Sequence, residues 1–379
     1  MVSLSLYISQ GARVFLTSWK NRLWPKKFEG NAQQVCEKIV DECWNGRFYQ
    51  TSNQNFPQFW SRDFGWCVDA LVRQGHVKKM HKTLRYALNI FQQHGAVCTT
   101  ITPKGKAFDF PVMAIDSLPW LIHAIVVSKF EYDNYAKFLN KEIRKYWAVV
   151  VSKKTKLVRR EKQFSSIKDF AIRDSSCYDN CMVAMLASDL CRLNLENPFI
   201  KGGGNLNRQD KEKAVKEQYS ELIMQNFWSG EYFYDDLQKK EYVAGDAQLF
   251  PIWLGLVNNK EIVNQIIVKV QEEELDKPLP LKYAQKNKLI KFIPQEFFFK
   301  DYESDSVWTH IGLLWIKVLQ KHKPELAQEY LNDYTKTIER EGAFVEVFAR
   351  DGKCFKTPFY YCDRTMLWAV NYLDLIKIE

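Results

Sequence analysis

The sequence predicts an all-α fold, an (α/α)6 toroid in which six outer helices surround six inner ones and the long loops share one rim. Three observations carry this. An acidic residue opens an apolar helical run six times, at Asp63, Asp116, Asp179, Asp246, Asp305 and Asp363. Those runs recur at roughly 60 residues, longer than the ~34–47 of solenoid repeats and suited to a helix pair with one long loop. Charged amphipathic stretches lie between them, so wet and dry helices alternate along the chain.

Taken in order, residues 1–29 precede the first pair and are expected to brace the outside of the barrel, with residues 30–379 forming a single domain. Outer helices are expected near 30–44, 77–94, 132–150, 208–227, 260–272 and 323–340. In the second of these, Met80, Leu84, Leu88 and Phe91 recur at helical spacing while Lys and Arg fill the other face. The acid-led runs, such as YDNCMVAMLASDL and GDAQLFPIWLGLV, are apolar on most faces, as a helix surrounded by protein must be. Each leading Asp is expected to be an N-cap, its carboxylate accepting from free N–H groups of the first turn. Links from inner to outer helices are short and the return links long. Long loops inside a compact domain are usually functional, and this arrangement gathers them beside the inner-helix N-termini. An open α-solenoid also stacks helix pairs, but with shorter repeats and less loop.

Composition narrows the function. Hydrophobic residues make up 46% and aromatics 15%, with 12 Trp, 18 Tyr and 25 Phe, enough for a large core and for sugar-stacking platforms besides. The net charge of +9 raises nucleic acid as a partner. Its excess, however, sits in local runs such as Lys153-Lys154-Thr155-Lys156 and in the stretch from Lys201 to Lys216, with no nucleic-acid-reading motif beside them. Solvated loops and no nucleic-acid partner are expected. The Lys201-Gly202-Gly203-Gly204-Asn205 run lacks a phosphate-loop frame and reads as a linker.

Nine cysteines, scattered without a paired framework, read as free thiols. Neither they nor the six dispersed histidines have metal-ligand spacing, so no metal and no cofactor are expected. His123, inside an apolar run, reads as a satisfied core histidine. The N-terminal stretch lacks the charge and continuous apolar run of a signal peptide, and no segment approaches a membrane span. A cytoplasmic protein without membrane contact is expected; oligomeric state is not legible.

The long loops hold the candidate chemistry. Phe59-Trp60-Ser61-Arg62-Asp63 sets an aromatic before an Arg-Asp pair, and a guanidinium fork with a carboxylate suits vicinal sugar hydroxyls. The third loop carries Lys168-Asp169-Phe170 and Arg173-Asp174; either Asp could be a tuned acid, since burial raises a carboxyl pKa and a cation lowers it. The sixth loop carries Phe344, Glu346 and Phe348 on one face of an expected strand. Two carboxyl groups facing across a pocket are what glycoside cleavage needs. No nucleophile elbow, phosphate loop or dinucleotide fingerprint competes.

These segments resemble the (α/α)6 glycosidases of the glucoamylase and amylo-α-1,6-glucosidase (glycogen-debranching) group, over roughly residues 30–379. Phe59 to Asp63 is similar to the group's aromatic-x-Arg-Asp element. Ile115-Asp116-Ser117-Leu118-Pro119-Trp120 is similar to its Val-Asp-Ala-x-x-Trp element. Lys168-Asp169-Phe170 with Tyr178-Asp179-Asn180 looks like its general-acid loop, and Val345-Glu346-Val347-Phe348 with Gly352 like its general-base loop. Where the group opens its last inner helix with Trp-Ser, this chain has Cys362-Asp363-Arg364. The resemblance implies an inverting α-glucan hydrolase with Asp169 as acid (Asp174 the alternative) and Glu346 as base. It implies carbohydrate contacts from Trp60, Arg62, Asp63, Asp116, Trp120, Tyr178 and Asn180; Trp308, in the fifth acid-led run, is a further expected contact. Two other readings stand beside it: a non-catalytic glycan-binding protein, and a sugar epimerase, which would need a histidine pair at the rim.

Overall fold

The computed structural model describes residues 4–200 and 207–377. The Lys201–Asn205 run, expected as a linker, lies outside the described residues. A first helix, α1 (Leu4–Leu23), precedes six pairs. The outer members are α2 (Ala32–Glu42), α4 (Val77–His94), α6 (Ala136–Val150), α8 (Arg208–Phe227), α10 (Lys260–Glu272) and α12 (Pro324–Glu341). The inner members are α3 (Ser61–Arg73), α5 (Ser117–Ser128), α7 (Cys177–Leu190), α9 (Gly245–Trp253), α11 (Thr309–His322) and α13 (Ala369–Leu375).

Each inner helix packs on the next, from α3 through α5, α7, α9 and α11 to α13, and α13 returns to α3. That last contact closes the ring and excludes an open solenoid. Burial follows the pattern of the sequence. All 14 residues of α7 are buried, whereas α4 buries only its Met80, Thr83, Leu84, Ala87, Leu88, Phe91 face. Among the described residues no helix is long and apolar enough to cross a membrane.

Close approach within the ring has a local requirement. A Cβ added to Gly65 on α3 would sit 2.5 Å from Trp120 Cβ on α5. Gly65→Ala is therefore expected to cost about 1–3 kcal/mol through overpacking. A calorimetric Tm equal to wild type would show that the two helices part freely.

Two-residue strands stitch the loops together. β1 (Phe59–Trp60), β2 (Thr100–Ile101) and β3 (Ala107–Phe108) form an antiparallel sheet joining the first two loops. β4 (Ala171–Ile172) pairs with β5 (Lys291–Phe292). β6 (Val307–Trp308) pairs with β7 (Val347–Phe348), placing Trp308 opposite Val347. The expected strand of the sixth loop shrinks to these two residues. Both its faces are buried, so alternation does not single out Glu346.

Two expectations are corrected. None of the six leading acids caps its helix with its side chain. Ser176 caps α7, accepting from the Asp179 N–H, and Asp116 stands at the N-cap position of α5 without a capping bond. Asp305 and Asp363 precede the starts of α11 and α13 by a stretch of loop. Asp363 instead accepts from the backbone N–H of Asn55 at 2.7 Å and of Thr365 at 2.8 Å, tying the first loop to the last. On a buried rim, cations and donors from neighbouring loops satisfy a carboxylate better than the end of its own helix.

The second correction concerns α1, which lies across the loop rim rather than along the outer helices. The Tyr7 ring meets Phe108 and Phe110 at 5.9 and 6.1 Å. Arg13 Nη1 donates to the Asn55 carbonyl at 2.8 Å, and Asn21 Nδ2 to Asn55 Oδ1 at 3.1 Å.

Candidate active site

Inside the rim is a cavity of about 920 Å³, walled by α1 and the long loops. Asp63, Asp169, Glu303 and Glu346 all line it, with Trp60, Arg62, Trp66 and Trp308. A smaller recess of about 310 Å³ lies where α3, α5, α7 and α11 end, lined by Asp69, Arg73, His123, Asp189 and Lys317. His123 there bridges Asp189 at 2.9 Å and Asp69 at 3.4 Å. Burial opposes its charge, but those two carboxylates lift its pKa to about 10. Its charges are spent on one another.

Arg62 organises one side of the large cavity. Its Nε donates to Asp116 at 2.6 Å and its Nη2 to Asp169 at 3.3 Å. Burial works against the guanidinium, yet Asp116 and Asp169 hold it well above its ordinary pKa. Behind it, the Tyr178 hydroxyl donates to Asp116 at 2.8 Å, and Trp120 Nε1 to the Tyr178 oxygen at 3.2 Å. Three sequence candidates, Asp116, Trp120 and Tyr178, thus stand outside the cavity wall and reach it through Arg62. Asn180 also stands outside it. Its Oδ1 accepts from the Val158 N–H at 2.9 Å, and its amide donates to the Ser176 carbonyl at 2.8 Å.

Asp169 is set by its loop. It accepts from Ser165 Oγ and from Arg62. Burial raises its pKa, while Arg62 and Ser165 pull it back. Lys168, its neighbour, turns away into a buried network with Asp235 at 3.2 Å and Asp246 at 2.8 Å, which Arg173 joins at 3.1 Å from Asp246. That network pins both ends of the segment holding Asp169. Asp174, the alternative acid, lies outside the cavity wall and accepts from Arg160 Nε at 2.8 Å.

Sequence reasoning missed Glu303. Its carboxylate accepts from the backbone N–H groups of Asp169, Phe170 and Ala171 at 2.6, 2.8 and 3.0 Å. Burial, then the charge of Asp169, pushes its pKa up to about 8. Glu303 and Asp169 are neighbours, so their protons come off as a pair. In the surrounding Asp301-Tyr302-Glu303-Ser304-Asp305 the recurrence points to Asp305, and no motif marks Glu303.

Glu346 faces the same cavity from the sixth loop. It accepts from the hydroxyls of Tyr302 and Tyr360 and from the Asp363 N–H at 2.8 Å. Burial raises its pKa to about 7 against the pull of those donors. The aromatics that hold it are two tyrosines, not the expected Phe344 and Phe348. Trp308 is fixed beside it by an Nε1 bond to the Tyr302 carbonyl at 2.7 Å. Asp63 is likewise pushed up to about 7, by burial first and then by Asp169.

Of the described histidines, His310 alone is packed against the residues of this wall. It stacks on Trp66 at 3.9 Å, and burial, with Arg62, holds its pKa well below the usual value. No histidine pair meets at the rim, as an epimerase would need.

By sequence the chain matches no family model and none of the curated proteins. Solved structures are similar to it in fold. A rhamnosidase from Klebsiella oxytoca with rhamnose bound superposes with a TM-score of 0.62 at 9% identity, covering 93% of this chain. This chain spans 66% of that rhamnosidase's length. A glycosidase variant in complex with glucose gives 0.60 at 10% identity, covering 97% of both chains. The GH63 mannosylglycerate hydrolase from Thermus thermophilus, in complex with Tris, gives 0.59 at 11% identity, with 92% of this chain and all 100% of that one covered. The closed ring of inner helices and these likenesses agree that the fold is that of the (α/α)6 glycosidases.

Proposed function

We propose that the protein is a glycoside hydrolase that cleaves by inversion, with Asp169 as general acid and Glu346 as general base. The observation that carries this is the convergence of these two carboxyl groups, from loops far apart in sequence, on one cavity. Asp169 gives its proton to the glycosidic oxygen as the bond to the anomeric carbon breaks. Glu346 takes a proton from the water that attacks this carbon on the opposite face. Arg62 and Asp63 hold vicinal hydroxyls, and Trp60 and Trp308 supply faces for the ring.

For the sugar we infer an α-linked glucosyl unit of an α-glucan, α-1,6 linkages included. Its support is the likeness of the Trp60–Asp63 and Ile115–Trp120 segments to the debranching group. With α1 across the rim, removal of a terminal unit fits the cavity better than cleavage inside a polymer. The test is incubation with maltose, isomaltose, trehalose, kojibiose and limit dextrin, then anomer analysis of the product. A retained anomer would sink the assignment of the pair. The ion pair of Asp169 with Arg62 favours a second reading, a glycan binder, because it opposes protonation of the acid. Ligand retention without release of reducing sugar would decide for it.

The pH dependence follows from the same groups. Glu346 must be ionised, so kcat/KM rises with pH through about 7. The Asp169–Glu303 pair must keep a proton, so kcat/KM falls again as pH passes about 8. A narrow bell is expected, and Glu303→Gln should move only its alkaline limb. An unmoved alkaline limb in that variant would exclude Glu303 from the acid pair.

A further inference from the structure

The two ends of the cavity differ in chemistry. Its floor carries the carboxylates, but its mouth is walled by Ile8 and Phe15 of α1, Phe110, Phe298 and Phe359. Four of these are exposed to solvent: Ile8 at 62%, Phe15 at 40%, Phe298 at 45% and Phe359 at 40%. Single exposed apolar side chains are ordinary, but a cluster around one opening marks a binding surface. Phe298 and Phe359 meet edge to face at 5.1 Å, and Phe297 packs on Phe298 at 5.6 Å.

Some of the polar groups at the mouth are engaged elsewhere. Gln10 accepts from Gln58 Nε2 at 2.9 Å and from Arg13 Nε at 3.2 Å. The Tyr7 hydroxyl donates to the Asp109 carbonyl. Gln58 Oε1 and Trp60 Nε1 of the wall stay unpaired among the described residues and can meet a second sugar, whereas Ile8, Phe15, Phe298 and Phe359 offer hydroxyls no partner.

We propose that the leaving-group side of this site also takes an apolar alcohol, making amphiphilic glycosides substrates beside the α-glucan, with the aglycone lying between α1 and the Phe297–Phe298 and Phe359 loops. The glycone end of this assignment rests on the glycosidase reading. Hydrolysis breaks the bond between the anomeric carbon and the alcohol oxygen. The alcohol leaves with the proton from Asp169, and water supplies the new sugar hydroxyl while its proton passes to Glu346. The cavity is near the top of the ~300–1,000 Å³ range of small-molecule sites, so sugar and aglycone fit together.

Binding of methyl and n-octyl α-D-glucopyranoside to the full chain, by calorimetry below the micellar concentration, is the test, with glucose release measured alongside. Each fully buried methylene is worth about fourfold in affinity, so burial of about three of those that octyl adds should already favour it over methyl by more than about 30-fold. Phe15→Ser and Phe298→Ser should each cut that ratio several-fold. Leu16→Ser, on the same helix but outside the cavity wall, should leave it intact. Equal binding of the two glycosides, no binding of either, or the same loss in Leu16→Ser overturns the proposal. Chain-length-dependent binding without glucose release upholds the apolar subsite and sinks the hydrolase reading. Glucose release with no chain-length dependence does the reverse.

Discussion

Replacing Glu346 by Gln is expected to lower kcat by about 10²–10⁴-fold, the usual worth of a positioned general base. The amide keeps the size of the side chain but cannot accept a proton from water. The surroundings sharpen the expectation. Tyr302, Tyr360 and the Asp363 N–H all aim donors at this carboxylate, offsetting part of the cost of burying its ionised form. KM should change much less than kcat, because the base acts on water rather than on the sugar. The measurement is kcat and KM on the best substrate of the disaccharide panel. A variant that retains more than a tenth of wild-type kcat removes Glu346 from the role.

Asp169→Asn is expected to show a loss that depends on the leaving group. Glycosides of ordinary alcohols need a proton on the departing oxygen, so kcat should fall by about 10²–10⁴-fold. A glycosyl fluoride or nitrophenyl glycoside leaves without that help and should lose far less. Arg62 remains anchored to Asp116 at 2.6 Å in the variant, so the fold should survive. Rates on both substrate types, measured side by side, decide the matter. An equal loss on both would mean that Asp169 only orients Arg62, and the acid would then be sought at Glu303.

The alternation of wet and dry helices was legible because periodic burial depends on spacing alone. The expected helices at 77–94, 208–227 and 260–272 match α4, α8 and α10 to the residue. Asp169 and Glu346 were also legible as acids on long loops, and both line the cavity. The roles of the six leading acids were not. Their partners, such as Arg62 for Asp116 or Lys168 for Asp246, come from other repeats and meet only when the ring closes. Glu303 was invisible for the same reason: its partners are three backbone N–H groups of another loop, and backbone donors carry no sequence signature.

Sequence alone determined the number of repeats, the inner and outer sets and the loops that carry Asp169 and Glu346. These depend on where each residue stands along its own helix, and helical period is local. The tertiary structure decided which acids share a cavity, which candidates stand behind it, and where α1 lies. Tyr7, Arg13 and Asn21 find their partners at Phe108, Asn55 and Phe110 on the rim, contacts between segments that no local pattern relates. A helix that sequence would leave on the outside therefore becomes a wall of the site, because the partners of its side chains are there.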